Sequence, residues 1–281
     1  MTDLEYKFKN GKTLTIGKKT LIMGILNITP DSFSDGGKWQ NIDDAVAHAR
    51  EMVRLGADII DIGAESTRPG AGPISADEEK ARLLPVLSRI AMEIPIAISA
   101  DTCKAAVAAA ALEAGADIIN DVWGLQNEAE PEAMAAVAGK YKAPVIIMHH
   151  QPVYDYEDDF IDKIRRFLRR SISIALRHGV PRENIILDPG IGFGKNTAVN
   201  LAVLRYLSEL KDIDGTMYPY LLGVSRKSFL GETLDLPVTE RIEATAAACV
   251  WGILNGANIL RVHDVKEISR TARMIDAIKE A

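Results

Sequence analysis

Short apolar runs in this chain end, again and again, on side chains that can do chemistry. Reading along the sequence, these are Asn27, Asp61, Asp101, Asn120, His149, Asp188, Lys227, Arg261 and His263, with Thr67 and Arg68 just beyond the second run. The basic members Arg68, Lys227, Arg261 and His263 would form an anion pocket. The carboxylates Asp101 and Asp188, with Asn120, suit a polar heterocycle. A guanidine-like ring edge offers two parallel N–H donors, which a carboxylate accepts in bidentate fashion. One ligand with a nitrogenous ring at one end and phosphates at the other would satisfy both halves. At Asp61, Asp121 and Asp264 a helix cap or turn is the better reading. The set as a whole reads as a site.

Other signals carry less. Gly190-Ile191-Gly192-Phe193-Gly194-Lys195 lacks the spacing and the Ser/Thr of a phosphate-binding P-loop. It reads as a tight turn that lets a ligand approach the backbone, with Phe193 as a wall. His149-His150 is no metal pair, because successive strand side chains point to opposite faces. The first strand has no His-x-His for a histidine-bound metal. Cys103, near a helix start, reads as a packed thiol rather than a nucleophile.

The elements that must position these residues follow from the periodicity. Residues 6–16, around Asn10-Gly11, read as a type I′ hairpin ahead of the main fold, plugging one end of it; we bound this extension at residues 1–18. Leu21 to Leu26 is the first buried strand. It feeds a polar loop containing Pro30, Phe33 and Gly36-Gly37, and no helix is expected before about Asn41. Further strands are expected at 58–63, 95–100, 117–121, 144–148, 184–187, 220–224 and 258–260. Helices alternate with them; Ser75 and Glu78 have capping-box spacing at the start of one. Arg165, Arg166, Arg169 and Arg170 read as a solvated helix face. The helix at 240–255 is apolar on nearly every side, which reads as an inter-subunit surface. Even strand–helix alternation predicts an α/β fold of the (β/α)8 TIM-barrel type, a single domain over residues 1–281.

The 281 residues are 47% hydrophobic and 26% charged, enough for a large core. A net charge of −6 argues against nucleic acid as a partner. Cys103 and Cys249 are too few for a disulfide framework. The charged opening MTDLEYKFKNGK and the absence of any long apolar run lead us to expect a cytoplasmic protein without membrane partners.

With these residues in view, the chain resembles the bacterial dihydropteroate synthases over nearly its whole length after the hairpin. The resemblance rests on seven ordered segments: LNITPDSFSDGG, ESTRPGA, DTCK, IINDVWG, DPGIGFGK, GVSRKSF and RVHDV. It implies a pterin-binding TIM barrel, a transferase of folate synthesis. The reaction joins 6-hydroxymethyl-7,8-dihydropterin pyrophosphate to 4-aminobenzoate and releases pyrophosphate. Carried over motif by motif, the pterin pocket is Asp101, Asn120, Asp188 and Lys227, with Arg261 against the ring. Asn27 is the ligand of a magnesium (Mg2+) cofactor. The pyrophosphate falls to Asn27, Thr67, Arg68, Arg261 and His263. The 4-aminobenzoate falls to Phe33, Pro69, Phe193, Lys227 and Ser228. The catalytic set is Asp101, Lys227, Arg261 and His263, and the assembly implied is a homodimer. The implied chemistry is dissociative: the exocyclic methylene becomes cationic, Asp101 stabilises it, and the aromatic amine adds. The polar part of the opening stretch, with Phe33, is expected to act as a lid.

The chain departs from the family pattern at Cys103, where Tyr is usual, and at His150-Gln151-Pro152. Two other readings remain open at this point. One is a pterin barrel that passes a methyl group to a cobalt cofactor. The other is a pterin-binding paralogue without synthase activity.

Overall fold

The expected hairpin forms from β1 (Leu4–Lys7) and β2 (Thr13–Ile16), antiparallel, with Tyr6 opposite Leu14. The structure is a computed structural model and describes residues 3–8, 11–28, 38–65, 72–150 and 159–281, with side chains of the first helix described from Ile42 onward. Gly11 lies in the left-handed region at φ +79, and its N–H bonds back to the Phe8 carbonyl at 3.1 Å. Phe8 in turn donates to the Lys12 carbonyl at 2.9 Å. The connection is therefore longer than the two-residue type I′ turn that Asn10-Gly11 suggested.

Eight parallel strands follow: β3 (Leu21–Asn27), β4 (Ile59–Gly63), β5 (Ala97–Asp101), β6 (Ile118–Asp121), β7 (Val145–Met148), β8 (Ile185–Asp188), then β11 (Leu221–Leu222) and β12 (Ile259–Val262). Between β8 and β11 sits a small antiparallel ribbon of β9 (Asp212–Ile213) and β10 (Thr216–Met217), which the sequence pattern did not reveal. The barrel strands neighbour one another in the order β11-β12-β3-β4-β5-β6-β7-β8. A parallel bridge between Leu187 and Tyr220 joins the two ends of that series, so the sheet closes on itself.

The helices are α1 (Lys38–Leu55), α2 (Ala76–Glu93), α3 (Ala105–Glu113), α4 (Ala133–Tyr141), α5 (Phe160–Arg177), α6 (Thr197–Arg205), α7 (Ser228–Leu234), α8 (Ile242–Leu254) and α9 (Val265–Glu280). α1 starts at Lys38, earlier than the limit near Asn41. Once past Gly36-Gly37, Lys38-Trp39-Gln40 contains nothing that opposes a helix. The capping box at α2 is present, with the Ser75 side chain accepting from the Glu78 N–H at 3.2 Å. On α5, Arg166 and Arg169 pair with Asp159 and Asp214, and Arg165 reaches the Asp212 carbonyl.

Period-two alternation sorts the strand residues into two cores. Leu21, Met23, Ile59, Ala97, Ile118, Ile146, Ile186, Leu221 and Ile259 face the barrel axis and cluster with Tyr6, Leu14 and Ile16 of the hairpin. Their neighbours Ile22, Ile60, Ile98, Ile119, Ile147, Leu187 and Leu260 face outward and pack under the helices. The hairpin thus plugs the end of the barrel where the strands begin. Tyr6 donates its hydroxyl to the Glu183 carbonyl at 2.7 Å, and Lys12 reaches Asp117 and the Ile96 carbonyl. Burying each such side chain contributes roughly 1.5–3 kcal/mol, more than a lone two-stranded ribbon could supply by itself.

α8 is not enclosed all round. Ala244, Thr245, Ala248, Cys249 and Ile253 face the core, while Trp251 and Leu254 are 47% and 61% exposed. With Leu201, Leu234 and Ala247, Trp251 lines an open apolar groove across α6, α7 and α8. Among the described residues no helix is long and apolar enough to cross a membrane.

Candidate active site

The same alternation that fills the lower barrel with aliphatics brings polar residues to the axis at the strand ends. Across neighbouring strands Asn27 pairs in register with Gly63, Gly63 with Asp101, and Asp101 with Asn120. These positions share one inward-facing row. Gly63 leaves the row room, since a Cβ there would sit 3.3 Å from the Asp101 Cβ. Asp61 and Ser99 occupy the row below, two residues earlier on their strands. Asp188 and Arg261 also fall on inward positions, two residues after Ile186 and Ile259.

Arg261 ties the group together. Its Nε donates to Asp61 Oδ2 at 2.6 Å and its Nη2 to Asp101 Oδ2 at 2.5 Å. Asn120 Nδ2 donates to the same Asp61 oxygen at 3.1 Å. Asp61 is therefore no helix cap or turn residue, contrary to the sequence reading. In Ile59-Ile60-Asp61-Ile62 the period of two puts it inside with Ile59, and that spacing was the signal to follow. Its second oxygen, Oδ1, is buried without a hydrogen-bond partner among the described residues. Asp121, by contrast, is the turn residue expected, accepting from the Trp123 and Leu125 N–H groups. Asp264 stands at the N-cap position of α9, but its carboxylate pairs with Arg226 instead of capping.

On the opposite side of the mouth, Asp188 Oδ1 accepts from the Gly190 N–H at 2.7 Å. Lys227, at the N-cap of α7, donates to the Ile191 carbonyl and sits 4.7 Å from the Phe193 ring centroid. His263 lies one residue past β12, with its Nδ1 3.0 Å from Ser225 Oγ. Ser228 opens α7 beside Lys227 and is exposed. Phe33, Thr67, Arg68 and Pro69 lie outside the described residues, as do Gln151-Pro152 and most of the stretch expected to act as a lid.

His149, grouped by sequence with the strand ends, faces away from the axis. It is buried, with Nδ1 2.9 Å from Lys195 Nζ and its ring edge-on to Phe167 at 4.9 Å. Lys195, to which the sequence reading gave no part, is also buried and donates to the carbonyls of Gly190 and Phe193 at 2.8 and 3.1 Å. It holds the 190–195 turn closed beneath Asp188. His150 takes the other face, 4.2 Å from the Trp123 ring and 6.0 Å from Phe193.

The turn allows no side chain at Gly190. Its φ is +65, and a Cβ would lie 1.9 Å from the His149 carbonyl oxygen. Gly190→Ala should destabilise the fold by at least ~2 kcal/mol and weaken ligand binding at the adjoining mouth, read by thermal unfolding and by calorimetry. An unchanged midpoint with unchanged binding would refute this account of the turn.

Burial dominates the electrostatics. It pushes the Asp101 carboxyl up to about 7, against the pull of Arg261. Asp188 is raised for the same reason, with Lys227 opposing. Lys227 is brought down to about 8 by burial, and Lys195 to about 7. Arg261 stays charged, its own desolvation outweighed by Asp61 and Asp101. The Cys103 thiol is pushed up to about 12 by burial, which suits a packed thiol and not a nucleophile.

The donor set bears on magnesium as well. Among the described residues no cluster of three His, Cys, Asp or Glu side chains could cage a metal ion. Asn27, half-buried at the end of β3, has no side-chain hydrogen bond among the described residues. A magnesium ion carried in on a pyrophosphate keeps several waters and needs only one or two protein oxygens, so the residues fit that kind of site.

Comparison with known proteins agrees with this geometry. A family model described as pterin binding enzyme matches residues 23–263. The dihydropteroate synthase of Bacillus subtilis is 51% identical over 265 residues, covering 94% of this chain and 90% of its own length. Among solved structures, the Clostridium difficile dihydropteroate synthase determined in the presence of pteroic acid superposes with a TM-score of 0.89 at 51% identity, covering 95% of this chain and 99% of that one. The Xanthomonas albilineans enzyme with 4-aminobenzoic acid gives 0.92 at 36% identity, with both chains covered completely. A closed barrel with a carboxylate-floored, cation-rimmed mouth, matched over its full length by such relatives, belongs to the dihydropteroate synthase family of pterin-binding enzymes.

Proposed function

We infer that the protein condenses 6-hydroxymethyl-7,8-dihydropterin pyrophosphate with 4-aminobenzoate, giving 7,8-dihydropteroate and pyrophosphate. The observation that carries this reading is the meeting of Asp61, Asp101 and Asn120 with Arg261 at one barrel mouth, opposite Asp188 and Lys227. Relatives crystallised with pteroic acid and with 4-aminobenzoic acid support it.

In this reading Asp188 accepts the paired N–H donors of the pterin edge, Asn120 and Lys227 meet its remaining polar atoms, and Arg261 covers the ring. The bond between the exocyclic methylene and the pyrophosphate oxygen breaks first, and the electron pair leaves with the pyrophosphate. Asp101 faces the cation that remains on the methylene and ring. The amine nitrogen of 4-aminobenzoate then forms the new bond and releases its proton. Thr67, Arg68, Arg261 and His263 neutralise the leaving group, while Phe33, Pro69, Phe193 and Ser228 bound the aminobenzoate. A magnesium ion, when bound, supplies further charge neutralisation on the pyrophosphate, and Asn27 is the protein oxygen we assign to it. No side-chain nucleophile is required.

The exposed apolar face around Trp251 and Leu254 is the surface we assign to a homodimer. Two free cysteines fit a reducing, cytoplasmic setting. The function is tested by mixing protein, magnesium and both substrates and following pyrophosphate and dihydropteroate. Product should appear only with both substrates present. Absence of aminobenzoate-dependent product would leave the binding-protein reading instead.

A further inference from the structure

The turn beneath Asp188 has an inner and an outer side. On the inner side lies Lys195, only 3% exposed. Its Nζ is 2.8 Å from the Gly190 carbonyl, 3.1 Å from the Phe193 carbonyl and 2.9 Å from His149 Nδ1. A protonated amine can only donate, so the imidazole accepts through Nδ1 and carries its own proton on Nε2. Burial and the facing ammonium hold His149 well below its ordinary range, which keeps the ring in that neutral form. Asn200, in the first turn of α6, accepts the Gly192 N–H at 2.7 Å and donates to the Lys195 carbonyl at 3.1 Å. The His149 N–H donates to the Asp188 carbonyl at 2.9 Å. Gly190, Gly192 and Gly194 have φ of +65, +81 and +58, and this backbone lets two carbonyls of one short turn converge on a single amine.

The outer side faces the pocket. The Gly190 N–H donates to Asp188 Oδ1 at 2.7 Å. Ile191 gives its carbonyl to Lys227, and the Phe193 ring centroid lies 4.7 Å from the same ammonium. A Cβ at Gly192 would sit 2.9 Å from Lys227 Cδ, so the lysine stem lies directly against the turn. Asp188, at the end of β8, and Lys227, at the start of α7, are thus both seated on one turn, and Lys195 sets that turn from behind. Burying an ammonium is costly, and what it supplies here is direction: it aims the Gly190 and Phe193 carbonyls inward, which turns the neighbouring N–H and C=O groups toward the pocket.

We propose that Lys195, with His149 as its acceptor, is a positioning residue for the condensation: from behind the 190–195 turn it holds Asp188 and Lys227 in the arrangement that receives the pterin. This rests on the function proposed above. A displacement of about 1 Å at such a remove is enough to lower a rate by ~100-fold.

The test uses Lys195→Met, His149→Leu and His149→Asn in the full chain. Each is measured well below its unfolding midpoint, where a loss of stability alone leaves the folded site unchanged. Lys195→Met should weaken binding of 6-hydroxymethyl-7,8-dihydropterin by about 10-fold or more and lower kcat/KM for its pyrophosphate by ~100-fold. His149→Leu should weaken the same binding by about fivefold. His149→Asn, whose side-chain oxygen falls near the place of Nδ1, should restore most of that loss. Exchange of the Gly190 and Gly192 amide hydrogens should speed up in Lys195→Met and His149→Leu. If Lys195→Met does not fold, His149→Leu carries the affinity measurement. Pterin affinity within about twofold of wild type in the folded variant, or equal losses in His149→Leu and His149→Asn, would overturn the proposal. Failure of the wild-type protein to form dihydropteroate would instead remove the function proposed above. The pterin affinities and the two amides still read the turn in that case, and unchanged values there would overturn the latch itself.

Discussion

Asp101→Asn is expected to lower kcat/KM for dihydropteroate formation by roughly 1,000-fold while the protein stays folded. The two side chains have nearly the same shape, so the change removes charge and little else. In the reaction proposed, Asp101 faces the methylene as it becomes cationic, and an amide dipole cannot replace that interaction. Stability should move the other way. Burial raises the Asp101 carboxyl from its ordinary 3.8 to about 7. The stability contributed by this group is fully present below the ordinary value and is lost as pH rises through about 7. Asparagine never ionises and escapes that loss, so at pH 8 the variant's thermal midpoint should be no lower than wild type. The same titration predicts that wild-type kcat/KM climbs with pH through about 7. A folded Asp101→Asn protein with kcat/KM within about tenfold of wild type would sink the assignment.

Lys227→Ala should cost about 100- to 1,000-fold in kcat/KM, with a clear rise in KM for the pterin pyrophosphate. The ammonium meets the Ile191 carbonyl and the Phe193 ring, and its charge is the strongest influence opposing the effect of burial on Asp188. Its removal leaves that carboxyl with less to hold it ionised when the pterin edge needs an acceptor. Burial has already brought Lys227 down to about 8, so the wild-type rate should fall as pH rises through that value. Together with Asp101, this gives a bell-shaped profile whose alkaline limb disappears in Lys227→Ala. Persistence of that limb in the variant would show that another group controls it.

The residues of the pocket were legible because each closes a run of apolar residues, and a buried strand has few reasons to end on Asp, Asn or Arg. Asn120, Asp188 and Arg261 needed no more than that. Asp61 differs from its expected role because a carboxylate near a strand end has two common uses, turn and site, and local pattern alone does not separate them. His149 is the converse case. It stands where a strand ends, but alternation carries it outward, into contact with Lys195 and Phe167. Lys195 was invisible as a buried group. Lysine in a glycine-rich loop is ordinarily solvated, and only the carbonyls of Gly190 and Phe193 make its burial tolerable.

By itself, the sequence determined the alternation of buried strands and helices, the polar character of the strand ends and the motifs that mark the family. These are local properties, carried by side-chain periodicity and turn chemistry within a few residues. Closure of the barrel decided the rest. It joins Leu187 to Tyr220, turns one parity of each strand toward a common axis, and brings Arg261 onto Asp61, 200 positions earlier in the chain. Lys104 likewise meets Glu65 and Glu79 only when the ends of β4 and β5 and the start of α2 stand side by side. Which carboxylate faces the pocket, which histidine does not, and how far burial moves their titration depend on low-dielectric contacts between distant segments, and those exist only in the folded chain.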